Sequence, residues 1–175
     1  VKSNGYEVKA GNEVVLFRHE KTFFNKPGLF IAVSDKLPDE RISALAGAAD
    51  SYKVNYVGIE LGLDGFAITG DSSNPARFAE AVTLVRRASH KPVILVSTEP
   101  DVIKAGLARL TDESPMISAA NAANWSAMAE LAKQSKCSLV ISGDSLDDLA
   151  ELSENIKATG FEDLVLNPVA SGLGG

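Results

Sequence analysis

The chain has 175 residues, 45% hydrophobic and 23% charged, an ordinary globular composition and enough length to bury a core. Lys plus Arg total 17 against 23 Asp plus Glu, a net charge of −6, which argues against nucleic acid as a main partner because phosphate binding needs a basic surface. A single cysteine, Cys137, excludes an internal disulfide and a four-thiolate iron–sulfur site, and no apolar run approaches the ~20 residues of a membrane helix. With no basic-then-apolar leader at Val1, the cytoplasm is the expected compartment, and neither membrane nor nucleic acid is an expected partner.

Residues 1–28 form an entry segment. Stretches 5–8 and 14–18 flank Gly11-Asn12, a turn dipeptide, and predict a hairpin. It is expected to plug the bottom of the domain that follows, residues 29–175. That domain carries six short apolar runs, at 29–33, 65–69, 92–97, 115–118, 138–142 and 163–167. They are nearly continuous in hydrophobicity rather than alternating, as strands buried on both faces are.

Between the runs, apolar residues fall at helical spacing. Ile42, Leu45, Ala46 and Ala49 make one stripe, and Phe78, Ala81, Val82 and Val85 the next. Ile103, Gly106, Leu107 and Leu110 follow, then Trp125, Met128, Ala129 and Ala132, then Leu149, Leu152 and Ile156. Asn74-Pro75 is a cap followed by proline at the first helical position. Ser145 with Asp148 resembles a capping box, Gly160 suits a left-handed C-cap, and Arg86, Arg87 and His90 crowd a helix end where cations are favoured. From the second strand onward the units start about 23 to 27 residues apart, a run of right-handed β/α units. The first interval is longer, and 56–61 within it suits a small additional strand.

The expected fold is therefore α/β: a parallel TIM-type (β/α) barrel truncated after about six strands, with an N-terminal hairpin. Closing eight strands at this spacing takes roughly 50 to 60 more residues. An open doubly wound sheet is the other reading, but it wants a glycine-rich turn after its first strand, and here Ser34-Asp35-Lys36-Leu37-Pro38 follows. The first and sixth strands are strongly apolar edges, expected to be covered by further strands or by a partner chain.

Barrel chemistry sits at the C-terminal ends of the strands. Those ends offer Ser34, Asp35, Thr69, Asp71, Ser97, Thr98, Asn121, Ser142, Asp144 and Asn167, a polar and mildly acidic rim. Thr98, Asn74, Asp144 and Ser145 suit helix caps. As a binding surface, Asp35, Asp71, Asn121 and Asn167 suit a neutral, hydrogen-bonding ligand such as a pterin, or a partner. No catalytic or metal-binding residue is assigned. No strand holds a lysine for Schiff-base chemistry, two histidines and one cysteine make no metal cluster, and a phosphate site would have only Lys36 and Arg77. Cys137 is expected to be an inert core thiol, and Trp125 a core residue or a partner anchor.

The stretch VLFRHEKTFFNKPG at 15–28 resembles the entry to the barrel of the large (gamma) subunit of the corrinoid/iron–sulfur protein, from the acetyl-CoA synthase and decarbonylase system. So do DLVLNP at 163–168, Gly172-Leu173-Gly174, and the Asn-Pro-led helix after the second strand. The resemblance implies a middle barrel set between an iron–sulfur domain and a corrinoid domain. It implies a second barrel, the small subunit, as partner. It further implies methyl transfer from a methyl-tetrahydropterin or methyl-tetrahydrofolate methyltransferase to acetyl-CoA synthase. Corrinoid and iron–sulfur cluster are then cofactors of the parent protein and none belongs to this chain, whose role is that of scaffold. The alternatives are a stand-alone pterin-binding barrel methyltransferase, with Asp71, Asn121 and Asn167 gripping the pterin, and a non-catalytic interaction module.

Overall fold

A computed structural model describes residues 1–3, 5–9 and 25–168. Two short strands, β1 (Lys2–Ser3) and β2 (Tyr6–Glu7), pair antiparallel around Gly5, whose φ of 90° suits glycine. Then come β3 (Phe30–Ser34), α1 (Asp39–Ser51), β4 (Lys53–Tyr56), β5 (Ile59–Gly62), β6 (Gly65–Thr69) and α2 (Pro75–Ala88). The remainder is β7 (Val93–Val96), α3 (Pro100–Leu107), β8 (Met116–Ala120), α4 (Trp125–Ser135), β9 (Ser138–Gly143), α5 (Leu146–Ala158) and β10 (Leu164–Pro168).

β3, β6, β7, β8, β9 and β10 make one all-parallel sheet whose spatial order is the chain order. A doubly wound sheet reverses its order at a switch point, and this one does not. Right-handed crossovers that always step the same way put every helix on one face. In keeping with this, α1 packs on α2, α2 on α3, α3 on α4 and α4 on α5. The fold is α/β, with the sheet of a truncated parallel barrel and an N-terminal hairpin.

The core lies between sheet and helices. Val33, Phe66, Ile68, Leu95, Ile117, Leu139 and Ile141 are fully buried on the sheet side. Ile42, Phe78, Val82, Val85, Ile103, Met128 and Ile156 meet them from the helices. Gly106 in α3 makes room for the Phe78 ring, since a Cβ there would lie 2.5 Å from Phe78 Cε1. The other face of the sheet is only half covered. Ala67, Ile94, Val96, Met116 and Ser118 are half-buried, Ala32 is exposed, and at the edges Leu29 and Leu166 are 59% and 58% exposed. Burial on both faces was expected for 29–33 and 92–97. On the helical side Val33, Val93 and Leu95 are buried and Ile31 partly so, whereas the inner face stays half-open, because an arc of six strands does not close over it.

The N-terminal residues brace the floor of the sheet through Lys2 and Ser3, which precede the stretches of the expected plug. Ser3 Oγ donates to His90 O at 2.9 Å, and Lys2 and Ser114 exchange backbone hydrogen bonds, both contacts lying just before β7 and β8. The described partner of β2 is β1; the expected partner 14–18 and its Gly11-Asn12 turn lie outside the described residues, as does 169–175. Lys91 Nζ caps the end of α1 through Ala49 O and Asp50 O. Arg86 donates to Ser89 O and Lys91 O and lies 3.1 Å from the buried Glu113 carboxylate. Burial holds its pKa below the usual arginine value, with Glu113 opposing that shift. The addition at 56–61 is more than one strand: β4 and β5 form an antiparallel hairpin of their own.

Candidate functional site: the strand-end rim

The C-terminal strand ends gather two polar corners. The first joins β3 to β6. Asp35, fully buried, accepts from Ser72 N at 2.9 Å and from the Ser72 hydroxyl. Arg77, at the start of α2, donates through Nε to Asp35 O and through Nη2 to Leu37 O, and pairs with Asp39 and Glu80 through Nη1. Asp71 accepts from the hydroxyls of Ser34 and of Thr69, the latter at 2.8 Å. These two hydroxyls, first Ser34 and then Thr69, hold the Asp71 carboxyl below the usual aspartate range against a small opposing effect of burial. The corner is a brace between two β/α loops, with both oxygens of Asp35 engaged.

The second corner joins β8, β9 and β10. Asn121, Ser142, Gly143, Asp144, Asp148 and Leu152 line a cleft of about 500 Å³. Asn121 Oδ1 accepts from Ala123 N, and its own N–H donates to Asn124 Oδ1. Asn124 reaches back to Thr98 O at 2.7 Å, tying this corner to the end of β7. Asn167 Nδ2 donates to Ser142 Oγ at 3.1 Å. So of the four rim residues, Asp35 and Asp71 fall in one corner, and Asn121 and Asn167 meet around Ser142 in the other. Among the described residues no hydrogen bond joins the two pairs.

Among the expected caps, Asn74 accepts from Ala76 N and Arg77 N, and Ser145 accepts from Asp148 N. In the Ser145 cap the Asp148 carboxylate accepts a hydrogen bond from the serine hydroxyl instead of reaching back to the backbone. Thr98 and Asp144 do not cap: α3 starts after Glu99 without a side-chain bond, and Ser145 takes the place of its neighbour. Sequence reasoning missed Ser72 and Asn124 and named Arg77 only as a rim cation, without its partners across the loops. Ser72 and Arg77 are 37 and 42 residues from Asp35, beyond the reach of any local pattern.

Among the described residues no three His, Cys, Asp or Glu converge on one point. Cys137 is buried, its Sγ facing Ser135 O, and burial pushes its pKa up to about 12, with Asp163 adding to the effect. A thiol held protonated in this way is neither a ligand nor a nucleophile. Trp125 is half-buried against the core, as a packing residue. No helix among the described residues is long and apolar enough to cross a membrane.

The profile of the CO dehydrogenase/acetyl-CoA synthase delta subunit family matches residues 2–175. The chain is 39% identical over 163 residues to the corrinoid/iron-sulfur protein large subunit of Moorella thermoacetica, covering 93% of this chain and 36% of that protein. It is 40% identical over 168 residues to the acetyl-CoA decarbonylase/synthase complex subunit gamma of Archaeoglobus fulgidus, covering 95% and 35%. The gamma subunit of Methanopyrus kandleri is 34% identical over 164 residues, covering 93% and 35%. The chain spans about a third of the length of these curated relatives.

Proposed function

The chain belongs to the CO dehydrogenase/acetyl-CoA synthase delta subunit family, and from that premise we propose that it is the scaffold barrel of a corrinoid/iron–sulfur methyl carrier. The carrier would take a methyl group from a methyl-tetrahydropterin or methyl-tetrahydrofolate methyltransferase and deliver it to acetyl-CoA synthase. Corrinoid and cluster would reside in other parts of a longer protein in the cytoplasm, and a small-subunit barrel would be the immediate partner. The observation that carries this reading is the match along almost the whole chain to large and gamma subunits about three times as long.

Of the rim, the β8–β10 corner is the part left for contact with ligand or partner. Asp35 and Asp71 are engaged in bracing, whereas Asn121 lines a cleft and Asn167 donates to Ser142, another residue of its lining. The experiment is a metal and activity assay on two samples, the full-length protein from the same gene and the 175-residue chain. The full-length protein should contain cobalt and iron and accept a methyl group. The 175-residue chain should contain neither metal after reconstitution and transfer no methyl group. A full-length protein free of cobalt would overturn the proposal. Turnover of methyl-tetrahydrofolate by the 175-residue chain alone, abolished by Asn121→Ala, would establish the stand-alone pterin barrel in its place.

A further inference from the structure

In the outer layer of helices, where α2 packs on α3, a cleft of about 350 Å³ is lined by Thr83, Arg86, Arg87, Ala108 and Arg109. Three arginines among five lining residues concentrate positive charge on a chain whose net charge is −6. An adjoining cleft of about 400 Å³ shares Thr83, Arg87 and Arg109 and adds Asp39 and Glu80. Those two carboxylates are already held by Arg77 Nη1, at 2.6 and 2.9 Å.

The three guanidiniums are not equivalent. Arg86 is 14% exposed, and its Nη1 donates to Ser89 O and Lys91 O. The Glu113 carboxylate, 3.1 Å from Nη2, balances its charge. Its Nε is buried and has no acceptor. Arg87 and Arg109 are exposed, and among the described residues neither guanidinium has an ion-pair or hydrogen-bond partner. Thr83, one turn before Arg87, donates its hydroxyl to Ala79 O. The donors left for an occupant are therefore guanidinium N–H groups.

The helix dipole favours a cation at each helix end. That accounts singly for Arg87 on the last turn of α2 and for Arg109 just past α3. It does not account for both lining one cleft without a counter-charge, since like charges repel.

We propose that this cleft binds the phosphate group of a small phosphorylated molecule. Charge selects the class. With Arg86 balanced by Glu113, two positive charges remain, and a phosphate monoester carries close to two negative charges at neutral pH. A single carboxylate would leave one arginine unmatched. Guanidinium forks meet phosphate oxygens bidentately. Arg86 Nε, which the fold leaves without an acceptor, gains one when an oxygen reaches the floor of the cleft. The volume is at the low end for small-molecule sites and suits a compact ligand.

Isothermal titration of the full-length protein with glycerol phosphate, at low salt and neutral pH, tests this. A Kd below about 1 mM is expected. The double variant Arg87→Ser, Arg109→Ser should weaken binding about tenfold or more, the worth of one lost charged contact. Its thermal midpoint should not move, because neither side chain has a partner to lose. Replacing both arginines by lysine keeps the charge and loses the forks, so its affinity should fall between the two. No binding at about 10 mM overturns the inference. So does binding no stronger than that of acetate, or binding indifferent to the double serine variant. Loss of the small-subunit complex in that variant, with no glycerol phosphate bound by the parent, would make the cleft a protein contact instead.

Discussion

The two faces of the parallel sheet are made from different side chains. Toward the helices stand Phe66, Ile68, Leu95, Ile117 and Ile141, large and without exposed surface. The opposite face mixes the large Ile94 and Met116 with the smaller or hydroxylated Ala67, Thr69, Val96, Ser118 and Ser142, all of them only half-buried. Every one of these residues belongs to a strand with the same backbone pairing, so the hydrogen-bond ladder does not distinguish the faces. What differs is where apolar volume has found a partner. The contrast locates the stability of this chain in the sheet–helix layer and leaves the inner face as a surface awaiting cover.

The largest expected effect is on the filled face. Phe78→Ala removes a fully buried ring wedged between α2, α3 and β7, and should cost about 3–5 kcal/mol in denaturant unfolding. Val165→Ala, on the open side of edge strand β10, should cost less than about 1 kcal/mol. Equal losses at the two positions would break the contrast. Gly106→Ala sharpens it: the new methyl meets the Phe78 ring and Leu95, and overpacking should outweigh the helix-propensity gain by about 1–2 kcal/mol.

Asn74→Ala tests a helix start on the rim, away from both faces. It removes an acceptor used by two backbone N–H groups and should cost about 1 kcal/mol. An unchanged denaturation midpoint would show that water replaces the cap.

The smallest effect concerns Asp71, on the open side. Its folded pKa lies below that of an unfolded aspartate, so it binds protons less readily when folded. Its contribution is full above the unfolded value, about 4, and is lost as pH falls through the lower folded value. Ser34→Ala removes the first of its two hydroxyl donors and should move the Asp71 carboxyl titration, followed by NMR, back toward the ordinary value. An unmoved titration would mean that Thr69 alone sets it.

The sheet and the helix stripes were legible because both follow from local periodicity. Residues 65–69 are β6 itself, and the other five strands lie within two residues of the apolar runs. Ile42, Phe78, Ile103, Met128 and Leu149 are all buried where their stripes put them. Caps with partners two or three residues on, at Asn74 and Ser145, were legible for the same reason. The hairpin was half seen, as 56–61, since Val57-Gly58 lacks the asparagine or aspartate that usually marks such a turn. The rim was legible as a set of residue types and not as an arrangement. Nothing near Asp35 announces Ser72 or Arg77, and their meeting depends on the parallel pairing of β3 with β6.

The agreement between spatial and chain order in the parallel sheet has a consequence for synthesis. Past the β4–β5 excursion, each new strand finds its hydrogen-bonding partner in the strand made one unit earlier. Closing the sheet therefore calls for loops of one β/α unit, and loop-closure entropy stays modest at every step. A chain leaving the ribosome can add units one at a time to an edge already formed, as domains commonly do during translation. Besides the edge of β3, which the later strands never cover, the growing structure exposes only its newest edge, and each such edge waits about as long as the synthesis of one unit.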